Sequence, residues 1–175
     1  MGKQPIKRVL GVDPFSRGVG FAVLEGADSL IDWGLKSTGR AHNEKAVRVI
    51  EALISRFQPD VLALEDSNSP DSRRCARVEK LLDRIAKGEN KHVQVRLISR
   101  RHLRRIGSLP QASTKYGRAC LIAERFPELQ AFLPPVRKAW MAEDDRMAIF
   151  DAAGFAVACF ATPKPTTDPP ARTPA

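Results

Sequence analysis

The chain has 175 residues, 43% of them hydrophobic, enough for one globular domain that buries roughly two thirds of its unfolded surface without staples. Its three cysteines, Cys75, Cys120 and Cys159, form no CxxC pair, which argues against a disulfide framework or a zinc site, and no window approaches the roughly 18 apolar residues of a membrane span. Lys plus Arg number 29 against 20 Asp plus Glu, and the net charge of +9 favours a polyanion; with no basic amphipathic helix in evidence, nucleic acid leads over an anionic membrane surface.

The N-terminal MGKQPIKRVLG lacks the apolar run of a signal peptide, so a soluble, cytoplasmic protein is expected. Three strand patterns follow, over 8–13, 20–25 and 30–35, separated by the turn-rich PFSRG and EGADS; such short connections imply an antiparallel meander. From Asn43 to Phe57, Ala46, Val49, Ile50, Leu53, Ile54 and Phe57 recur at helical spacing, and Gln58-Pro59 closes the helix. Asp60 to Glu65 (DVLALE) is a compact apolar run arriving straight after a helix, which predicts a buried parallel strand. The loop SNSPDS leads into a helix expected over 73–87, carrying Val78, Leu81, Leu82 and Ile85 inward and ended by Gly88. A fifth strand is expected over 93–98, then the basic run Ser99 to Arg105, the loop GSLPQAS and a helix over 114–126 stopped by Pro127. Residues 128–138 read as irregular, and the last helix is expected over 143–160. The fold domain is therefore placed at 1–161, and the proline-rich 162–175 is expected to be a disordered tail. The order βββ-α-β-α-β-α-α predicts an α/β fold with a mixed five-stranded sheet, three antiparallel strands then parallel ones, flanked by helices.

Chemistry concentrates at the acids. Asp13 and Glu65 both end apolar strand runs, and on neighbouring strands their carboxylates would converge. Two buried like charges repel unless something positive neutralises them, and an all-oxygen ligand set points to Mg²⁺ or Mn²⁺ rather than zinc. A third carboxylate, Asp151, interrupts an apolar helix (MAIFDAAGFAVACF), where a charge is seldom left without a partner. Asp144 lies seven residues earlier, about 10 Å up a helix axis, so it joins such a site only if the helix starts late. Acids in a first helical turn, Glu143, Asp144 and Asp145, also have a simpler role as caps.

GVDPFSRGVGFAVLE resembles the first motif of the RuvC family of Holliday junction resolvases; LALE is similar to its second acidic strand, and DAAGFAVA to its last helix. The resemblance spans Val9 to Phe160 and implies an RNase H-like fold, a homodimer, and Asp13, Glu65 and Asp151 holding two Mg²⁺ (or Mn²⁺) ions, Asp13 bridging them. It further implies that Lys115, in QASTKYGRA, faces the scissile phosphate. The chain differs where the family carries a second acid or His one turn before the last Asp: here that place is Ala148, so a fourth ligand is absent or replaced by Asp144. It also has Phe15 for a motif Gly, and Asp66-Ser-Asn-Ser-Pro where the family has an aromatic-bearing loop.

The basic residues suited to gripping phosphate are Arg17, beside Asp13; Arg73 and Arg74, near Glu65; Lys115; and the run Arg100, Arg101, Arg104 and Arg105. Tyr116 and Trp140 could stack on unpaired bases, although core packing is the plainer expectation. The leading expectation is a divalent-metal-dependent, structure-specific DNA endonuclease resolving four-way junctions by two-metal hydrolysis. Its rivals are a nuclease of the same fold acting on other branched or single-stranded DNA, and a catalytically idle DNA-binding protein. A sugar-kinase-type phosphotransferase needs two such domains, more than 175 residues provide.

Overall fold

A computed structural model describes residues 8–39, 43–88, 92–104 and 113–161. The proline-rich 162–175, Arg105 and most of GSLPQAS lie outside the described residues. Five strands, β1 (Arg8–Phe15), β2 (Gly18–Glu25), β3 (Leu30–Ser37), β4 (Val61–Glu65) and β5 (Gln94–Ile98), make one sheet in the order β3-β2-β1-β4-β5. The first three pair antiparallel, and β1–β4 and β4–β5 pair parallel, as the element order predicts. With β1 at the centre, flanked on both sides and covered on both faces, its side chains are buried from Val9 through Pro14.

Strand parity divides the core in two. Leu10, Val12, Leu62 and Leu64 face helices α1 (Asn43–Phe57) and α2 (Ala76–Ala86), whose Ile50, Leu53, Val78, Leu81 and Leu82 complete one cluster. Val9, Val61, Ala63, Ala22 and Leu24 face the other way, onto α4 (Lys115–Arg125) and α5 (Met147–Ala161). Side chains alternate along a strand, so the acids at 13 and 65 share the α5 side with Gly11 and Ala63. α5 is apolar nearly all round and buried from Met147 to Cys159, and it lies directly on β1 and β2 because glycines face it: Gly20 opposes Ala148 and Gly11 opposes Ala152. None of the described helices is long and apolar enough to cross a membrane.

Three places differ most from the sequence reading. α2 begins at Ala76, three residues later than expected, because Arg74 is drawn out of the helix into ion pairs with the strand acids. α5 begins at Met147 rather than 143: Asp144 caps it, its Oδ1 accepting from Arg146 N at 3.0 Å and its carbonyl from Met147 N at 3.0 Å. Residues Pro127–Phe132, expected to be irregular, form a 3-10 helix opened by the proline and anchored by fully buried Leu129. The basic run after β5 contains only the short helix α3 (Arg100–Leu103), capped by Ser99, whose hydroxyl accepts from His102 N.

Candidate active site

Register brings the two strand acids side by side. β1 and β4 pair Gly11 with Ala63, and two residues further along both strands stand Asp13 and Glu65, each 1% exposed. Asp13 also pairs with Gly20 of β2, over which Ala148 of α5 sits; one helical turn on from Ala148, Asp151 reaches the same end of the sheet, 5% exposed. The three are the acids among the described residues that are fully buried.

Each carries a cation. Arg74 stands between the strand acids: its Nε donates to Glu65 Oε2 at 2.5 Å, its Nη2 to Asp13 Oδ1, and its Nη1 to the Pro14 carbonyl at 3.2 Å. Arg100 grips Glu65 from the other side, Nε to Oε1 at 2.7 Å and Nη2 to Oε2 at 3.2 Å. Lys115, at the start of α4, places Nζ 2.8 Å from Asp151 Oδ2 and 2.7 Å from Glu143. The Lys115–Asp151 contact is a close ion pair, and apart from it Asp151 Oδ2 is a buried oxygen without a hydrogen-bond partner.

These contacts set the protonation. The Asp13 carboxyl is raised from 3.8 to about 6, chiefly by burial, with Arg74 and Lys115 pulling against it and Asp151 and Glu65 adding to it. For Arg74 and Lys115, burial acts to discharge the cation, but the surrounding carboxylates outweigh it and hold both above their ordinary values. Arg118, one turn along α4 from Lys115, is pulled down by burial.

Asp13 and Arg74 line an open cleft of about 730 Å³, whose walls also include Arg17, Arg73, Arg77, Lys115 and Glu143; Glu65 and Asp151 are buried and are not part of its lining. Arg17 reaches across it to Asp145 at 2.8 Å, and Arg77 donates to the carbonyls of Phe15 and Ser16. Asp144 lies on the same wall, its carboxylate held by Arg146 at 2.7 and 2.9 Å. One turn before Asp151, Ala148 packs on Gly20, so the described residues bring three carboxylates together rather than four. Arg101 and Arg104 are exposed on and just after α3. Sequence reasoning named Arg100 only as part of a run, gave Glu143 only a capping role, and passed over Arg77 and Arg118. The signals were there in principle: Ser99 as a cap fixes where Arg100 emerges from β5, and Arg118 stands three residues from Lys115 on one helical face.

Trp140 is 80% exposed, with Val136 and Met141 also exposed, which corrects the expectation that it packs in the core. The segment carrying it, 133–146, has no regular structure and borders the cleft through Ala142 and Glu143.

Three buried carboxylates, one with an oxygen lacking a hydrogen bond, are a hard, all-oxygen donor set that fits a divalent cation of the Mg²⁺ or Mn²⁺ type. With Arg74 inserted, however, no group of three acids among the described residues is spaced to share one ion.

No protein-family model and no curated protein matches the sequence. Solved structures do. Thermus thermophilus RuvC in complex with a Holliday junction substrate superposes with a TM-score of 0.60 at 17% identity, covering 87% of this chain and 92% of that one. RuvC from the same organism in a second structure gives 0.57 at 18% identity, covering 87% and 93%. A yeast mitochondrial Holliday junction resolvase gives 0.57 at 14% identity, covering 89% and 78%. With the strand order, the mixed pairing and the helix laid over the acid-bearing strands, these likenesses show that the chain has the RuvC-like, RNase H-like fold.

Proposed function

We propose that the protein is a divalent-metal-dependent endonuclease that cuts branched DNA, with the four-way junction as its preferred substrate. The observation that carries the reading is the gathering of Asp13, Glu65 and Asp151, all buried, at one end of the sheet, with Asp13 lining a cleft walled by arginines and Lys115. A buried triad of acids has no structural use that an apolar triad would not serve better, so its retention argues for binding. The fold neighbour solved with a Holliday junction supports the choice of substrate.

In this reading Asp13, Glu65 and Asp151 would hold the divalent ions, with Asp144 available from the cleft wall. Divalent ions bound there supply activation of a water for attack on a phosphodiester and stabilisation of the departing oxygen. Lys115 orients Asp151 and presents a positive charge to the non-bridging phosphate oxygens, while Arg17, Arg73, Arg74, Arg101 and Arg104 neutralise neighbouring phosphates and fix the strand's path. The described residues carry one such cluster, so symmetric cutting of two strands of a junction calls for a homodimer.

The test is to incubate the protein with a four-way junction, a flap and a linear duplex in Mg²⁺ or Mn²⁺. Cleavage of the junction in preference to the duplex is expected. Cutting none of the three leaves the idle DNA-binding reading, which the alanine at 148 and the inserted Arg74 favour; cutting flaps while sparing junctions reassigns the substrate.

Trp140 makes a separate expectation. An exposed indole beside the cleft, with Lys138 Nζ 5.3 Å from its ring, suits stacking on bases unpaired at a branch point. Trp140→Ala should weaken junction binding about tenfold, the scale of one stacked base, and leave duplex binding unchanged. Wild-type tryptophan fluorescence should be quenched by the junction and not by the duplex, since Trp33, the other tryptophan, is half-buried against Phe132. Equal losses on both DNAs would remove Trp140 from branch recognition.

A further inference from the structure

We propose that Arg74 is a built-in counter-cation of the acidic site, which bridges Asp13 and Glu65 while the site is empty and has to be displaced before a divalent ion can bridge them. The inference rests on the metal-dependent reading above and concerns how this chain controls access of the ion.

The geometry is specific to Arg74. Its side chain is 12% exposed and its fork spends each face on a different partner: Nε on Glu65, Nη2 on Asp13 and Nη1 on the Pro14 carbonyl. A planar guanidinium can span two carboxylates in this way, whereas an ammonium behaves as a point charge. The other two cations do not stand between acids of the triad. Arg100 approaches Glu65 alone, and Lys115 pairs with Asp151 and the half-exposed Glu143. Arg74, Arg100 and Lys115 thus set three positive charges against the three buried acids.

A divalent ion entering between Asp13 and Glu65 would face the guanidinium at contact distance in a poorly screened setting, and the like charges repel. Arg74 is also placed where its side chain can move without disturbing a helix. It belongs to the extended stretch before α2, whose Cys75 makes no side-chain cap, so its release breaks no helix. The cleft it would swing into is lined by Arg17, Arg73 and Arg77, where a DNA phosphate would give the freed guanidinium a new partner. Ion and DNA therefore assist one another's binding, each rewarding the state in which Arg74 has let go.

A competing internal cation lowers apparent metal affinity by the fraction of molecules in which the bridge is open. The experiment is calorimetric titration of Mn²⁺ into the wild type, Arg74→Gln, Arg74→Lys and Asp13→Asn, with melting temperatures measured with and without the ion. Both Arg74 variants should bind Mn²⁺ about tenfold or more tightly than wild type, the effect of removing a bridge closed nine times in ten. Both should melt lower without the ion and gain more from it. Arg74→Lys keeps the charge and loses the fork, so its gain separates bridging from net charge. Affinity no tighter than wild type in variants folded by circular dichroism overturns the inference, as does a gain confined to Arg74→Gln. If the wild type and both Arg74 variants bind no better than Asp13→Asn, the metal-dependent reading itself fails.

Discussion

Asp13→Asn is expected to abolish junction cleavage while leaving a folded protein that still binds the junction. The side chain is 1% exposed and sits beside Glu65 with Arg74 against it, so the substitution removes the central charge of the proposed ion site and changes almost no volume. Losing a partner that merely orients a metal ligand costs roughly 10- to 100-fold, so loss of the ligand itself should exceed about 100-fold in cleavage rate. Binding should be equal or tighter, since one negative charge fewer faces the phosphates. Stability separates this outcome from unfolding. Burial raises the Asp13 carboxyl from 3.8 to about 6, so in the ion-free fold its ionisation is disfavoured, and wild-type stability falls as pH rises through that window. Asn never ionises and its Oδ1 still accepts from Arg74. The ion-free variant should therefore melt at or above the wild type at pH 7 to 8 and lose that advantage below about pH 4, where Asp13 is protonated in both states. With Mn²⁺ present the order should reverse. A variant that melts lower at every pH and binds no DNA would assign Asp13 a purely structural part.

Much of this site was legible because it depends on parity and on isolated violations of pattern. Asp13 and Glu65 each close an apolar alternation, and the parallel pairing of β1 with β4 puts them on one face; Asp151 is a lone charge in an otherwise apolar helix. What the linear pattern could not carry was pairing at a distance. Arg74 reads as one of many surface arginines, yet it meets Asp13 across 61 positions, and its ion pairs override the helix propensity that would begin α2 at 73. Asp144 shows the opposite case: it satisfies both a ligand reading and a cap reading, and in the fold Arg146 meets its carboxylate locally with two hydrogen bonds. Trp140 was misjudged from residue type alone, since an indole is usually at least partly covered and nothing in residues 133–146 signals that its segment runs along a cleft rim.

The largest effect on stability is expected at a residue without a side chain. Gly11 lies in the middle of β1 under α5, and a Cβ built there would fall 2.0 Å from the Ala152 carbonyl oxygen and 3.2 Å from Ala156 Cβ. The obstruction is helix backbone, so no side-chain rotation relieves it and α5 as a whole has to lift from the sheet. Overpacking a core costs about 1–3 kcal/mol when neighbours can adjust, and Gly11→Ala should reach or pass the upper end because they cannot; Gly11→Val should leave no folded protein. The consequence extends to chemistry, because α5 carries Asp151 one residue before the point of contact. Lifting the helix separates Asp151 from Lys115 and from the strand acids, so whatever Gly11→Ala protein folds should cleave poorly and respond weakly to Mn²⁺ in a melting experiment. Gly26 provides the control: it has a positive φ of 84° but nothing within 4 Å of a built Cβ. Gly26→Ala should cost about 1–2 kcal/mol through backbone strain alone and leave cleavage intact. Equal melting losses at positions 11 and 26 would show that the sheet tolerates a raised helix, and that close contact between α5 and β1 is not what positions the third acid.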